Sequence, residues 1–192
     1  MNTLSFVKLL TFSGDMEDLL RGLSICLIGM MGTGKTTVGE ILARKLNYRF
    51  FDTDVLLEQV ASRTIPEIFA SEGEEKFRDW ESQVFRELAA CTRSVIATGG
   101  GIVLRPINWS YLHYSLVIWL DAPVEVLVQR LLGDESRPLL QQGELALRLQ
   151  SLLEQRRSLY GQADLHILIN AKQTPEAIAQ EIIKQIPSVL KS

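Results

Sequence analysis

The stretch that decides the fold is LSICLIGMMGTGKT, residues 23–36. Its apolar start is typical of a buried strand, and its end matches GxxxxGK[ST], a loop whose backbone N–H groups surround phosphate oxygens. Apolar residues then recur at helical spacing, at Val38, Ile41, Leu42 and Leu46. A strand, a glycine-rich loop and a helix in this order predict a phosphate site at the helix N-terminus. The alternative is a glycine-rich turn with an incidental lysine.

Residue types in this loop have a chemical use. Gly29, Gly32 and Gly34 allow the backbone to approach a ligand closely. Lys35 is expected to contact the β- and γ-phosphates of ATP, and the hydroxyl of Thr36 to ligate Mg²⁺. The motif does not separate a kinase from an ATPase, a GTPase or a nucleotide-binding regulator, so the acceptor side has to decide between them.

Four more short apolar runs predict further strands. Together with residues 23–28 they lie at 49–51, 94–97, 115–120 and 165–169, with helical patterns between them. This alternation predicts an α/β fold with a five-stranded, mainly parallel, doubly wound sheet flanked by helices. Ligands bind at the carboxyl ends of the strands in such sheets, so the residues after each run are the candidates for function.

The composition excludes several classes of partner. The 192 residues include 20 basic and 23 acidic ones, a net charge of -3, so neither nucleic acid nor an acidic membrane is an expected partner. No apolar segment approaches the ~18 residues of a membrane span, and the N-terminus lacks a secretory signal pattern. Cys26 and Cys91 have no CxxC spacing, which indicates reduced thiols in the cytoplasm. We expect an N-terminal extension at 1–21 and one domain at 22–192.

Two aspartates follow the second apolar run. If the extended backbone continues through DTD, Asp52 and Asp54 lie on the same side of the chain. One carboxylate could then hold Mg²⁺ and the other could orient or deprotonate an acceptor hydroxyl. The third run ends without an acidic residue, so Asp52 is the expected source of the charge that a Walker-B aspartate supplies elsewhere. The alternative is that both aspartates cap the next helix.

Two arginines and a glycine run complete the acceptor side. Arg78 and Glu81 are three residues apart on one helical face, although such pairs are commonly exposed surface pairs. Arg156 falls on a stripe with Leu145, Leu149, Leu152 and Leu159, and an inward arginine needs an anion, from the protein or from a ligand. The TGGG run at 98–101 permits close backbone approach to a ligand, or forms a plain tight turn.

A polar segment, LLGDESRPLL at 131–140, is typical of a mobile loop between two helices. Such a loop can close over ATP. Arg137 would then stabilise charge on the transferred phosphoryl group; the alternative is an exposed loop arginine.

Over residues 22–187 the chain resembles the shikimate kinase family in the identity, order and spacing of its motifs. The motifs are GMMGTGKT, DTD, FRDWE, TGGG, SRPLL and RRSLY. The phosphate loop is widespread, whereas this combination is specific to the family. The resemblance implies a nucleoside-monophosphate-kinase-like fold with a shikimate-binding segment near 53–81 and a lid near 132–144.

The resemblance also implies site residues. The positions that match shikimate contacts are Asp54, Arg78, Gly100 and Arg156. Those that match ATP contacts are Gly32, Thr33, Gly34, Lys35, Thr36, Thr37, Arg130, Arg137, Gln173 and Pro175, with Arg130 and Pro175 flanking adenine. Gln173 matches a position that varies in the family. Thr36 and Asp52 match the magnesium site, and Lys35, Asp54 and Arg137 the catalytic positions.

The expected reaction is transfer of phosphate from ATP to the 3-hydroxyl of shikimate, in the pathway to chorismate and the aromatic amino acids. ATP is the co-substrate and one Mg²⁺ per subunit the cofactor, and the expected protein is a cytoplasmic monomer. Two alternatives remain open at this point. One is a kinase of another small hydroxy acid such as gluconate, and the other is a catalytically weak nucleotide-binding module.

Overall fold

The structure, a computed structural model, describes residues 16, 18–132 and 142–190. Within this part of the chain, five strands form one all-parallel sheet, as predicted. They are β1 Ser24–Ile28, β2 Arg49–Asp52, β3 Ser94–Ala97, β4 Ser115–Asp121 and β5 Leu165–Leu168, in the order β2-β3-β1-β4-β5. Each lies within one residue of its predicted apolar run at both ends.

Seven helices are described between and after the strands. They are α1 Lys35–Leu46, α2 Thr53–Ala61, α3 Ile65–Ala89, α4 Pro106–Leu112, α5 Val124–Leu132, α6 Gln142–Tyr160 and α7 Pro175–Leu190. A short 3₁₀ helix, Ile102–Leu104, follows the glycine run after β3. Gly73 interrupts α3 with φ 80 and ψ 176, so this long element is two helices joined by a kink.

The core lies between the sheet and the helices. Every residue of β1 is buried, which is the rule for a central strand of a parallel sheet. The predicted apolar positions of α1 are buried as well, and α1 packs on β1, β2, β3 and α7. Met16 and Leu20, which precede β1, belong to the same core.

The strand order places the functional crevice. From β1 the sheet continues through β3 to β2 on one side and through β4 to β5 on the other, so a crevice opens beyond the carboxyl end of β1. Gly29 lies there with φ 141, and a Cβ at this position would overlap the carbonyl oxygen of Leu120 at the end of β4. Only glycine therefore fits where the chain leaves the sheet.

Two predicted segments lie largely outside the described residues. They are residues 1–15 and 17 of the N-terminal extension and residues 133–141 of the lid, the latter including Arg137. None of the described helices combines the length and the apolar character that a membrane crossing requires.

Candidate active site

The phosphate loop ends in a helix N-terminus, as its motif predicts. Gly32 and Gly34 have φ values of 79 and 91, which glycine adopts without strain, and Gly34 is the residue before α1. The ammonium group of Lys35 donates hydrogen bonds of 2.9 Å to the carbonyl oxygens of Gly29 and Met30. Burial lowers the pKa of Lys35 to about 8, against the opposing pull of Asp54 and then Asp52. The Lys35 side chain thus folds back onto the loop, and the two would bind phosphate together.

Thr36 and Asp52 meet at the mouth of this loop. The hydroxyl of Thr36 donates to Asp52 Oδ2 at 2.7 Å, although the two residues come from different elements. The other carboxylate oxygen, Oδ1, accepts from the backbone N–H groups of Asp54 at 3.0 Å and Val55 at 3.4 Å. Asp52 therefore caps α2 with one oxygen and turns the second toward the phosphate loop. A hydroxyl and a carboxylate oxygen together suit the hard-oxygen preference of Mg²⁺.

The expected extended course of DTD is wrong. The strand ends at Asp52, and Thr53 already begins α2, so Asp54 lies in the first turn of that helix. The physical reason is the cap itself, because the Asp52 side chain satisfies two backbone donors that a starting helix leaves free. Asp52 therefore caps the helix, as the alternative predicted, whereas Asp54 lies within it.

Asp54 nevertheless faces the acceptor side. Its Oδ1 is buried without a hydrogen-bond partner, and burial, followed by repulsion from Asp52, raises its pKa. The Oε1 atom of Glu81 is buried and unpartnered in the same way. A Cβ at Gly99 would lie within 2.8 Å of both oxygens, so the two carboxylates converge on the glycine run. Buried unpartnered carboxylate oxygens indicate a place where a ligand or water is expected.

Arg78 and Glu81 form a pair in which Glu81 is buried and Arg78 half-buried, so the exposed surface pair considered above is wrong. Arg78 Nη1 lies 2.9 Å from Glu81 Oε2, and only 1% of the Glu81 side chain is exposed. Burial raises the pKa of Glu81, even though Arg78 opposes the shift. A Cβ at Gly101 would overlap the guanidinium of Arg78, so the glycine run leaves the room that this arginine occupies.

Arg156 is buried on α6, as the stripe predicts, with 9% of the residue exposed. Its Nη1 donates to the carbonyl oxygen of Gly100 at 3.2 Å. Among the described residues no carboxylate forms a salt bridge with it, and the partners given for its guanidinium, the Gly100 carbonyl and the Tyr160 hydroxyl, are both uncharged. The stripe itself needs one correction, because Leu152 and Leu159 are half-buried and the buried positions are Leu145, Leu149, Leu153 and Tyr160.

The predicted adenine residues lie on the other side of the phosphate loop. Arg130 of α5 donates through Nη1 to the carbonyl oxygens of Gly32 at 3.2 Å and Thr33 at 3.0 Å. Pro175 begins α7. The side chain of Gln173 closes a turn by accepting from the backbone N–H of Asn170 at 2.9 Å. Arg130 therefore contacts the loop directly, whereas Gln173 is engaged with its own segment.

Two contacts in the site involve residues that sequence reasoning left without a role. The hydroxyl of Thr53 accepts from Gly99 N–H at 2.9 Å, and Tyr160 donates to Gly100 O at 2.6 Å. Thr53 lies between the two aspartates, and Tyr160 is one helical turn after Arg156, so position alone could have marked both.

Comparison with known proteins decides the family. A sequence profile described as Shikimate kinase matches residues 31–187, which is most of the chain. The chain belongs to the shikimate kinase family. The shikimate kinase of Rippkaea orientalis is 58% identical over 175 residues, covering 91% of this chain and 94% of the relative. That of Synechococcus elongatus is 57% identical over 178 residues, covering 93% and 94%.

Solved structures of the family share the fold. The shikimate kinase of Acinetobacter baumannii in complex with shikimate is 38% identical, with a TM-score of 0.83 over 90% of this chain and 97% of the other. The Aquifex aeolicus enzyme is 32% identical, with a TM-score of 0.74 over 86% and 97%. A gluconokinase of Sinorhizobium meliloti is only 16% identical, with a TM-score of 0.57 over 88% and 94%, and this likeness shows the fold alone.

Proposed function

We propose that this chain transfers the γ-phosphoryl group of ATP to the 3-hydroxyl of shikimate, giving ADP and shikimate 3-phosphate for chorismate and aromatic amino acid biosynthesis. One observation carries the proposal beyond family membership. Arg156 is a buried cation without a described carboxylate partner, and it donates to the same glycine run that the guanidinium of Arg78 packs against. A buried arginine of this kind suits an acceptor that brings its own carboxylate.

The phosphate loop is the proposed ATP site. Its contacts are Gly32, Thr33, Gly34, Lys35, Thr36 and Thr37, with Arg130, Pro175 and Gln173 on the adenine side and Arg137 from the lid. Thr36 and Asp52, 2.7 Å apart, would hold the one Mg²⁺ of the subunit. The ion neutralises charge on the β- and γ-phosphate oxygens. Lys35 reaches the same oxygens by exchanging its two carbonyl partners for phosphate.

The acceptor site lies between α2, α3, α6 and the glycine run. Arg78 and Arg156 hold the shikimate carboxylate, Gly100 lies against the ring, and the free Oδ1 of Asp54 positions the hydroxyl that is phosphorylated. Because the groups are fixed before the acceptor arrives, positioning and electrostatics supply most of the rate, with Lys35, Asp54 and Arg137 as catalytic residues.

Substrate-dependent ADP release tests this proposal. Shikimate, gluconate and a nucleoside monophosphate are offered separately, with ATP and Mg²⁺ present in each assay. We expect turnover with shikimate only, and its loss in Lys35→Met. Turnover with gluconate alone would favour a kinase of another acid, and ADP release with no acceptor preference would favour a nucleotide-binding module.

We also propose that the enzyme acts as a cytoplasmic monomer. One chain supplies both the phosphate loop and the acceptor arginines, so no second subunit is needed to complete the site. Cys26 and Cys91 are both free thiols, the state that a reducing compartment maintains. Light scattering of the purified protein measures the oligomeric state directly, and a mass of two subunits would contradict the monomer.

A further inference from the structure

Tyr160 ends α6 as a fully buried residue. Its ring stacks on Trp119 of β4, with centroids 5.7 Å apart and ring planes 24° apart. Trp119 is itself buried in the sheet. Packing on both sides of the aromatic pair fixes the ring, so the phenol hydroxyl has one defined position.

That position lies where the phosphate loop and the glycine run meet. The hydroxyl donates to Gly100 O at 2.6 Å and lies 3.6 Å from the sulfur of Met30, the second residue of the loop. A Cβ at Gly100 would lie 3.4 Å from both Gly29 O and Met31 N, so the turn and the loop are in direct contact. Burial raises the pKa of Tyr160, so the phenol stays protonated and remains a donor.

The glycine run needs an external restraint, because consecutive glycines restrict the backbone very little. The Gly100 carbonyl has two such restraints, the Tyr160 hydroxyl and Arg156 Nη1. Holding this oxygen fixes the peptide plane that follows it, and with it the direction of the Gly101 N–H group. In the part of the chain that the structure describes, neither Gly100 N–H nor Gly101 N–H has an acceptor. Of these two donors, the Gly101 N–H is held in one direction, because it shares a peptide plane with the Gly100 carbonyl.

Loss of the phenol would leave Arg156 as the remaining donor to this carbonyl. Gly100 is half-buried, and a carbonyl that is shielded from water and loses a donor is destabilised. The guanidinium would be drawn toward Gly100, away from an anion in the acceptor site. The orientation of the Gly101 N–H group would loosen at the same time.

We propose that Tyr160 is a positioning residue for the acceptor. Its hydroxyl holds the Gly100 carbonyl so that Arg156 stays available to the acceptor carboxylate and the Gly101 N–H group keeps its direction. This inference rests on the proposed acceptor site. It adds a residue that acts through Gly100 and Arg156 rather than by touching the substrate.

Tyr160→Phe tests the inference, because it keeps the ring and its stacking on Trp119 and removes only the hydroxyl. We expect the KM for shikimate to rise about tenfold, the scale of one hydrogen bond that positions a charged group. The kcat and the KM for ATP stay within about twofold. Tyr111→Phe is the matched control, since Tyr111 packs edge-on against Phe85, which has no part in the proposed site, and no kinetic constant should change.

The alternatives give different results. An unchanged KM for shikimate in Tyr160→Phe would overturn the positioning role. A KM that rises equally for both substrates, together with a lower melting temperature, would overturn it as well, because that pattern indicates general loss of structure. Absence of shikimate turnover in the unmodified protein would instead remove the proposed function itself.

Discussion

At the scale of single residues, neighbours in the chain have opposite environments. Arg156 is buried against the glycine run, whereas the side chain of Arg157 is 56% exposed and lies 3.6 Å from Asp121. The helical period alone separates them. These two arginines therefore provide a test and its control.

We predict that Arg156→Ala weakens shikimate binding by at least about 30-fold, because truncating one partner of a buried charge pair costs about 2 kcal/mol or more. ATP affinity is expected to stay unchanged. Isothermal titration calorimetry with each ligand measures both, and Arg157→Ala should resemble the unmodified protein. Equal losses for the two ligands would show that Arg156 is structural.

Glu81 gives a pH-dependent prediction. Burial raises its pKa in the folded protein, so its contribution to stability is fully present below the unfolded-state pKa and is lost as pH rises through the raised value. Relative to Glu81→Gln, the unmodified protein should therefore be less stable at a pH well above 4.5, the ordinary pKa of a glutamate, than at a pH near 4.5. Thermal unfolding at both pH values measures this difference in stability. Each kcal/mol shifts the melting temperature by about 2–4 °C.

The exposed Glu87, which pairs with Arg86, supplies the control. Glu87→Gln should leave the pH dependence of the melting temperature unchanged. Parallel curves for Glu81→Gln and the unmodified protein would contradict a raised pKa at Glu81.

At the scale of elements, the glycine run and α3 are fitted to each other. Gly101 has an ordinary φ of -98, so the backbone does not require glycine there; the guanidinium of Arg78 does. Gly73 in α3 is the opposite case, with a positive φ of 80 and no atom within 4 Å of an added Cβ. Gly101 therefore makes room for Arg78, and Gly73 allows the kink in α3.

We predict that Gly101→Ala raises the KM for shikimate about tenfold or more by displacing Arg78, with little change in the KM for ATP. Gly73→Ala should show the reverse pattern. The free energy of unfolding of Gly73→Ala should fall by about 1 kcal/mol because of backbone strain, and its kinetic constants should stay unchanged. Steady-state kinetics and denaturant unfolding on both variants check this, and a shared pattern would refute it.

At the scale of the whole molecule, the central strand is the most protected part of the sheet. Cys26 lies in β1, and burial raises the pKa of its thiol to about 12. Cys91, between α3 and β3, is half-buried. The thiolate is the form that attacks a thiol reagent, and Cys26 forms little thiolate at pH 8, so the two cysteines should differ widely in labelling rate.

We predict that iodoacetamide at pH 8 labels Cys91 in the native protein and reaches Cys26 only when the whole domain unfolds. Mass spectrometry of labelled peptides over time gives both rates. In Cys91→Ser, labelling should be negligible until denaturant is added. Fast labelling of Cys26 in the native state would mean that the sheet opens locally.

Much of this protein was determined by its sequence alone. The five strands and the phosphate loop follow from contiguous residues, because an apolar run or a glycine-rich motif carries its own local geometry. The position of Arg156 followed from the helical period in the same way. Local signals also misled at DTD, where the cap formed by Asp52 ended the strand earlier than expected, and on the leucine stripe, where Leu152 and Leu159 are only half-buried.

The tertiary structure decided which residues meet. It buried the pair of Arg78 and Glu81, brought Thr36 to Asp52, and placed Tyr160 on Gly100 from 60 residues away. No local pattern specifies such contacts, because they depend on how α3 and α6 pack over the end of the sheet. The phosphate loop is therefore specified by contiguous residues, whereas the acceptor site exists only in the folded chain.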